Sequence, residues 1–184
     1  MTTEAALDFR RLWEEALAWN RFLHPEMDRF SLWDGVARHV KIPEWALSLA
    51  QATGVRRYLV IAEDWCGDAA NTVPVVAALA ARLPGGELRV LPRDDYPEVM
   101  GRYLTNGARS IPIVIGLDDD FVEAGHWGPR PTELQTWVLA NKETMPKDER
   151  YAEVRRWYAK DRGETTLKEI LDAVKTPSRS PSKS

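Results

Sequence analysis

The chain holds one cysteine, Cys66, in 184 residues. A single thiol excludes an internal disulfide and any zinc site built on several cysteines. Histidine is nearly as scarce. His24, His39 and His126 lie far apart in sequence, with neither helical nor zinc-finger spacing. No metal site and no cofactor is therefore expected. No run of about 18 apolar residues occurs, so no membrane-spanning helix is expected. The opening Met1-Thr2-Thr3-Glu4 lacks a basic stretch followed by an apolar run and is not read as a secretory signal. With the lone reduced thiol, this predicts a cytoplasmic location. An excess of positive charge is also missing. The net charge of -3 leaves no electrostatic footprint for nucleic acid. Internal repeats are absent. What remains, 44% apolar and 29% charged, is an ordinary globular mix. The length suits one domain with a sizeable core and a small extension.

Apolar residues at Ala5, Phe9, Leu12, Ala16, Trp19 and Leu23 follow helical spacing and predict one amphipathic helix over 4–23, ended by His24-Pro25. A short helix is expected from Ser31, and another from Pro43 to Gly54. The pattern then changes. Tyr58-Leu59-Val60-Ile61-Ala62 reads as a buried central strand. Asp68 to Arg82 reads as a helix kinked at Pro74, and Leu88 to Leu91 as a second strand. Asp95 to Leu104 reads as a short helix, and Ile111 to Leu117 as a third strand. A turn at Asp118-Asp119-Asp120 leads to a fourth strand, Phe121 to His126. Pro131 to Asn141 is a helix. Lys147 to Val174 reads as two helices broken at Gly163, with Thr165 as a candidate cap. Strands alternating with helices imply parallel crossovers, and the last hairpin adds an antiparallel pair. The fold class is α/β. The expected divisions are an N-terminal helical extension (1–54), a central domain (55–145), C-terminal helices packing on it (146–174) and a disordered Ser-, Pro- and Lys-rich tail (175–184).

The chemistry concentrates in Glu63-Asp64-Trp65-Cys66-Gly67-Asp68-Ala69, where the first central strand ends and a helix begins. Free N–H groups and the positive end of the helix dipole favour thiolate there. Thiolate is the nucleophile, so Cys66 is expected to be exposed and reactive.

Trp65-Cys66-Gly67 after a buried strand resembles the active-site approach of the thioredoxin superfamily, and the order of strands and helices along the chain matches that fold. Ser110-Ile111-Pro112, just before a strand, resembles the loop bearing the family's cis-proline. The resemblance implies a central mixed sheet flanked by helices, with extra N- and C-terminal helices. It also implies that Pro112 packs beside the sulfur and that the Ile111 backbone can pair with an extended peptide or thiol ligand. Gly128 falls where the family has a glycine after its hairpin. The resemblance covers about residues 55 to 141. The acidic Cys66 segment, Leu104-Thr105-Asn106-Gly107 and Trp127-Gly128-Pro129-Arg130-Pro131 are similar to a divergent bacterial thioredoxin-like subgroup with one active-site cysteine.

Two departures are plain. Ala69 stands where the family's CxxC motif has its resolving cysteine, so no internal Cys-Cys cycle is available. Val60 stands where the family keeps a buried carboxylate. Asp68 is the new group beside the sulfur. It reads either as a helix-capping acid or as an acid/base partner, and its charge would raise the thiol's pKa against the helix effect. Glu63 and Asp64 make the rim acidic unless Arg109 and Arg130 offset them. Those arginines read either as local ion pairs or as carboxylate binders for a small thiol. Trp65, Gly67, Ile111, Pro112 and Trp127 complete the candidate substrate-binding set, with Trp127 alternatively packing only.

Three functions fit this reading. One is thiol-disulfide exchange through Cys66 with an external resolving thiol, the partner being a low-molecular-weight thiol or a protein disulfide. The others are a non-catalytic binding module and a cysteine redox sensor.

Overall fold

The computed structural model describes residues 6–175. Except for Lys175, the expected disordered tail lies outside the described residues. In chain order the elements are α1 (Phe9–Glu15), β1 (Leu17–Ala18), α2 (Trp19–Phe22), α3 (Phe30–His39), α4 (Glu44–Thr53), β2 (Arg57–Ala62), α5 (Gly67–Arg82), β3 (Glu87–Pro92), α6 (Pro97–Met100), β4 (Ile113–Leu117), β5 (Glu123–Trp127), α7 (Thr132–Ala140), α8 (Lys147–Asp161) and α9 (Glu164–Ala173).

The sheet runs β1-β3-β2-β4-β5. β2 is central because Tyr58, Leu59, Val60, Ile61 and Ala62 are all fully buried, as a strand covered on both faces must be. β3 pairs with β2 in parallel, while β4 pairs antiparallel with both β2 and β5. The parallel step needs a crossover, and α5 supplies it. That helix buries Val73, Val76, Leu79 and Ala80, and it continues through Pro74.

The single N-terminal helix expected over 4–23 is corrected to two short helices around a strand. Leu17 and Ala18 pair with Val90 and Arg89. The open edge of β3 needs backbone partners, and this long-range demand overrides the local helical spacing. Other boundaries also move. The helix expected over 95–104 spans only Pro97–Met100, β4 starts at Ile113, and β5 shifts to Glu123–Trp127. Thr165 is not the cap of α9. Gly163 holds that position, and the carboxylate of Asp161 accepts from the Thr165 N–H.

The extensions join the sheet's own core. Leu12, Trp13 and Trp33 from the N-terminal part, and Leu167, Ile170 and Leu171 from α9, belong to one buried cluster with β2 and α5. A smaller cluster joins α7 and α8 through Leu134, Val138, Val154 and Tyr158. Among the described residues no helix is long and apolar enough to cross a membrane.

Candidate functional site

After Ala62 the chain turns once, with the Cys66 N–H donating to the Glu63 carbonyl at 3.1 Å, and α5 begins. Cys66 is the N-cap. Its Sγ accepts from the Ala69 N–H at 3.4 Å, the place usually taken by a Ser or Asp oxygen. On its other side the thiol donates to the Ile111 carbonyl at 3.6 Å. That contact puts the loop Ser110-Ile111-Pro112 against the sulfur, and its Ile111-Pro112 bond is cis. Gly128 holds that loop from behind. With φ +137, any Cβ there would sit 2.1 Å from the Pro112 carbonyl oxygen, so only glycine fits.

Cys66 is buried, at 8% exposure, which corrects the expectation of an exposed thiol. Burial pushes its pKa up. The Ala69 N–H pulls it down, the Asp68 charge pushes it up, and the Asp68 N–H and Arg130 pull it down again. The net direction is upward. Desolvation outweighs the helix N-terminus, and the sulfur is chiefly thiol at neutral pH.

Asp68 follows in the first turn of α5 and is 6% exposed. Its carboxylate pairs with Arg130 at 2.7 Å and accepts from the Tyr158 hydroxyl at 2.8 Å. It therefore joins three parts of the chain: α5, the loop after β5, and α8. Burial works against the Arg130 charge, but the facing Asp68 carboxylate outweighs it and Arg130 is held more firmly protonated. Burial, then the Asp68 charge and hydrogen bond, push the Tyr158 phenol up. Arg130 also donates to Gln135 at 2.8 Å, while its buried Nε has no hydrogen-bond partner among the described residues.

The opposite rim is exposed. Arg109 pairs with Asp94 at 3.0 Å, and Arg93 pairs with the same carboxylate. Hydrogen bonding from Arg93 leads in holding the Asp94 carboxyl below the usual range. Trp65 is 43% exposed, with the Arg93 guanidinium 5.0 Å over its ring. Glu63 and Asp64 serve as local anchors. Glu63 accepts from the Asp94 N–H, and Asp64 accepts from the Asp28 N–H. The Trp33 indole donates to the Asp64 carbonyl, tying α3 to the turn that leads into Cys66.

These elements enclose a cleft of about 740 Å³. Of the candidate residues, Trp65, Cys66, Gly67, Asp68, Arg109, Ile111 and Arg130 line it together. Pro112 lies beneath, against Gly128. Trp127 stands apart. It is buried, and its indole N–H donates to Glu169 of α9 at 2.8 Å. Arg109 and Arg130, the two candidates for offsetting the acidic loop, both line the cleft and do not stand alone. Six cations (Arg29, Arg93, Arg109, Arg130, Lys147 and Arg155) face two acids, Asp68 and Asp148.

Sequence reasoning missed Arg29, Arg155, Lys147 and Tyr158, which come from the two extensions. Among the described residues neither Arg29 nor Arg155 is ion-paired. Arg29 adopts a left-handed conformation (φ 55) just before α3, and its guanidinium reaches the start of α5 at Gly67. That positive φ is not readable from the sequence, and no local residue pattern marks Arg29 as part of the cleft.

A family model described as thioredoxin matches residues 28–151, more than half of the chain. A crystal structure of a protein of unknown function from Pseudomonas aeruginosa superposes with TM-score 0.71 at 17% identity, covering 91% of this chain and 96% of that one. An HIV epitope-scaffold protein superposes with TM-score 0.69 at 16% identity, covering 90% and 96%. No curated protein matches the sequence. The two structures share the fold, and the family match shows that this chain belongs to the thioredoxin family.

Proposed function

We propose that this protein carries out thiol-disulfide exchange through Cys66, with a second molecule supplying the resolving thiol. The observation that carries the reading is the seat of the sulfur. Cys66 caps α5 under the Ile111 carbonyl and lines a cleft open to an incoming disulfide. The Cys66 thiolate attacks one sulfur of a disulfide, that S–S bond breaks, and the leaving thiolate takes the electron pair and picks up a proton. An external thiolate then attacks the substrate sulfur of the mixed disulfide and releases Cys66. No net oxidation occurs on the protein. Six cations against two acids in the lining favour a carboxylate-bearing partner such as glutathione.

The raised pKa makes this a slow nucleophile at neutral pH, with attack quickening as pH climbs. Turnover of a glutathionylated peptide by wild type, lost in Cys66→Ser, supports the reading. Equal activity of the two proteins would sink it.

One observation favours a second reading, a binding module without catalysis. Burial and the Asp68 charge both hold the thiol protonated. That reading expects the Cys66 thiol to stay unmodified by oxidised glutathione even at alkaline pH, while reduced glutathione still binds the cleft.

A further inference from the structure

A second cavity, larger than the one over Cys66 and adjoining it, is lined by residues of α3, α4, α8 and α9 and holds about 980 Å³, at the upper end of the range typical of small-molecule sites. Its body is apolar, formed by Leu32, Val36, Val40, Trp45, Val75 and Leu167. Trp45 is 37% exposed, with the Lys168 ammonium 5.7 Å over its ring.

The polar part of the lining is mainly cationic. Lys41, Arg155, Lys160 and Arg162 contribute to it, and among the described residues none of them is ion-paired. His39 adds a ring whose Nδ1 is engaged by the Gly35 carbonyl. Two acids are present, and both are occupied locally. Glu164 pairs with Lys168, and Asp161 accepts from the Thr165 N–H. The N-terminus of α4, ten residues long, also opens on this lining, and its N-cap residue Pro43 offers no side-chain cap, whereas the N-terminus of α9 is met by the Asp161 carboxylate through the Thr165 N–H. Unpaired cations and the α4 N-terminus favour negative charge at the same place.

We propose that this cavity binds an amphipathic carboxylate, a small molecule with an acyl or aryl body and one acid group. The body lies against Val36, Val40 and Trp45, and the acid meets the cationic part of the lining, which includes Lys41 and Lys160. The chain's own segment after Lys175 is a poor occupant, since it carries Arg179 and Lys183 and no Asp or Glu. The cavity shares Leu32, Asn71 and Arg155 with the Cys66 cleft. Tyr158 lines it and reaches Asp68 through its hydroxyl. The binding itself requires no thiol chemistry.

The test is calorimetric titration of the full chain with decanoate, decanol and decyltrimethylammonium. Saturable binding of decanoate is expected, about tenfold or more tighter than decanol, with the cation weakest. The Lys41→Glu, Lys160→Glu double variant alters only exposed side chains and should weaken decanoate about tenfold or more. Val36→Trp, which fills the cavity, should abolish binding while circular dichroism stays native. Cys66→Ser should bind as wild type does, which separates this site from the exchange reaction. The proposal is overturned by any of four results: no saturable decanoate binding, equal binding of the cation, full binding by both rim and filling variants, or loss of binding in Cys66→Ser.

Discussion

Two arginine–aspartate pairs flank Cys66, at nearly the same length. Arg130–Asp68 spans 2.7 Å and Arg109–Asp94 spans 3.0 Å. They differ in burial. The Asp68 and Arg130 side chains are 7% and 20% exposed, against 53% and 48% for Asp94 and Arg109. In water an ion pair gains little, because both charges are already solvated. In the interior, desolvation has been incurred by both partners, so removing one strands the other. From that contrast, the buried pair is expected to couple stability to the Cys66 pKa, and the exposed pair to affect only what approaches the cleft.

The largest expected effect is on stability. Asp68→Ala leaves the Arg130 guanidinium and the Tyr158 hydroxyl facing an empty, buried space. A loss of about 3 kcal/mol is expected in denaturant unfolding. Tyr158→Phe removes one hydrogen bond to the same carboxylate and should cost about 1.5 kcal/mol in that assay. Losses within a few tenths of a kcal/mol for both would break the contrast between the two flanks.

The next effect is on reactivity. Burial is the leading cause of the raised Cys66 pKa, and the Asp68 charge adds to it. A raised pKa means that alkylation keeps accelerating with pH beyond the ordinary thiol value of about 8.5, because thiolate is still accumulating there. Asp68→Asn keeps the shape and removes the charge, leaving Arg130 uncompensated. The Cys66 pKa should fall, and alkylation at neutral pH should run severalfold faster than in wild type. A slower reaction would show that Asp68 assists the thiolate.

The smallest effect belongs to the exposed flank. Arg109→Ala should leave the unfolding midpoint unchanged within error. It should slow reaction with oxidised glutathione by a few-fold at low salt, a difference that shrinks as salt screens the cleft. A marked drop in stability would mean that this pair is not the screened surface contact its exposure indicates.

Much of the fold could be read from the sequence because its signals are local. The apolar run Tyr58–Ala62, the helix that follows, and Ser110-Ile111-Pro112 each declare themselves within a few residues. Cys66 could be placed at a strand end and helix start for the same reason. What escaped depends on distant contacts. β1 forms because β3 needs a partner some seventy residues later. Tyr158 reaches Asp68 across 90 residues, and its place in the apolar cluster with Leu134, Val138 and Val154 reads in sequence as packing alone. Arg29 reaches the site only because α3 docks on α5 through Trp33 and its neighbours. The burial of Cys66 is likewise a sum over packed elements, so the sequence, which set the helix effect against the Asp68 charge, left the direction of its pKa open.

The most direct test is intact-protein mass spectrometry after exposure to oxidised glutathione across a pH series, with wild type and Cys66→Ser side by side. The account predicts one mixed disulfide on wild type, none on the variant, and release by added thiol. Formation should keep accelerating with pH past the ordinary thiol range of about 8.5. Absence of the adduct at every pH, or a rate that levels off below that range, would contradict it.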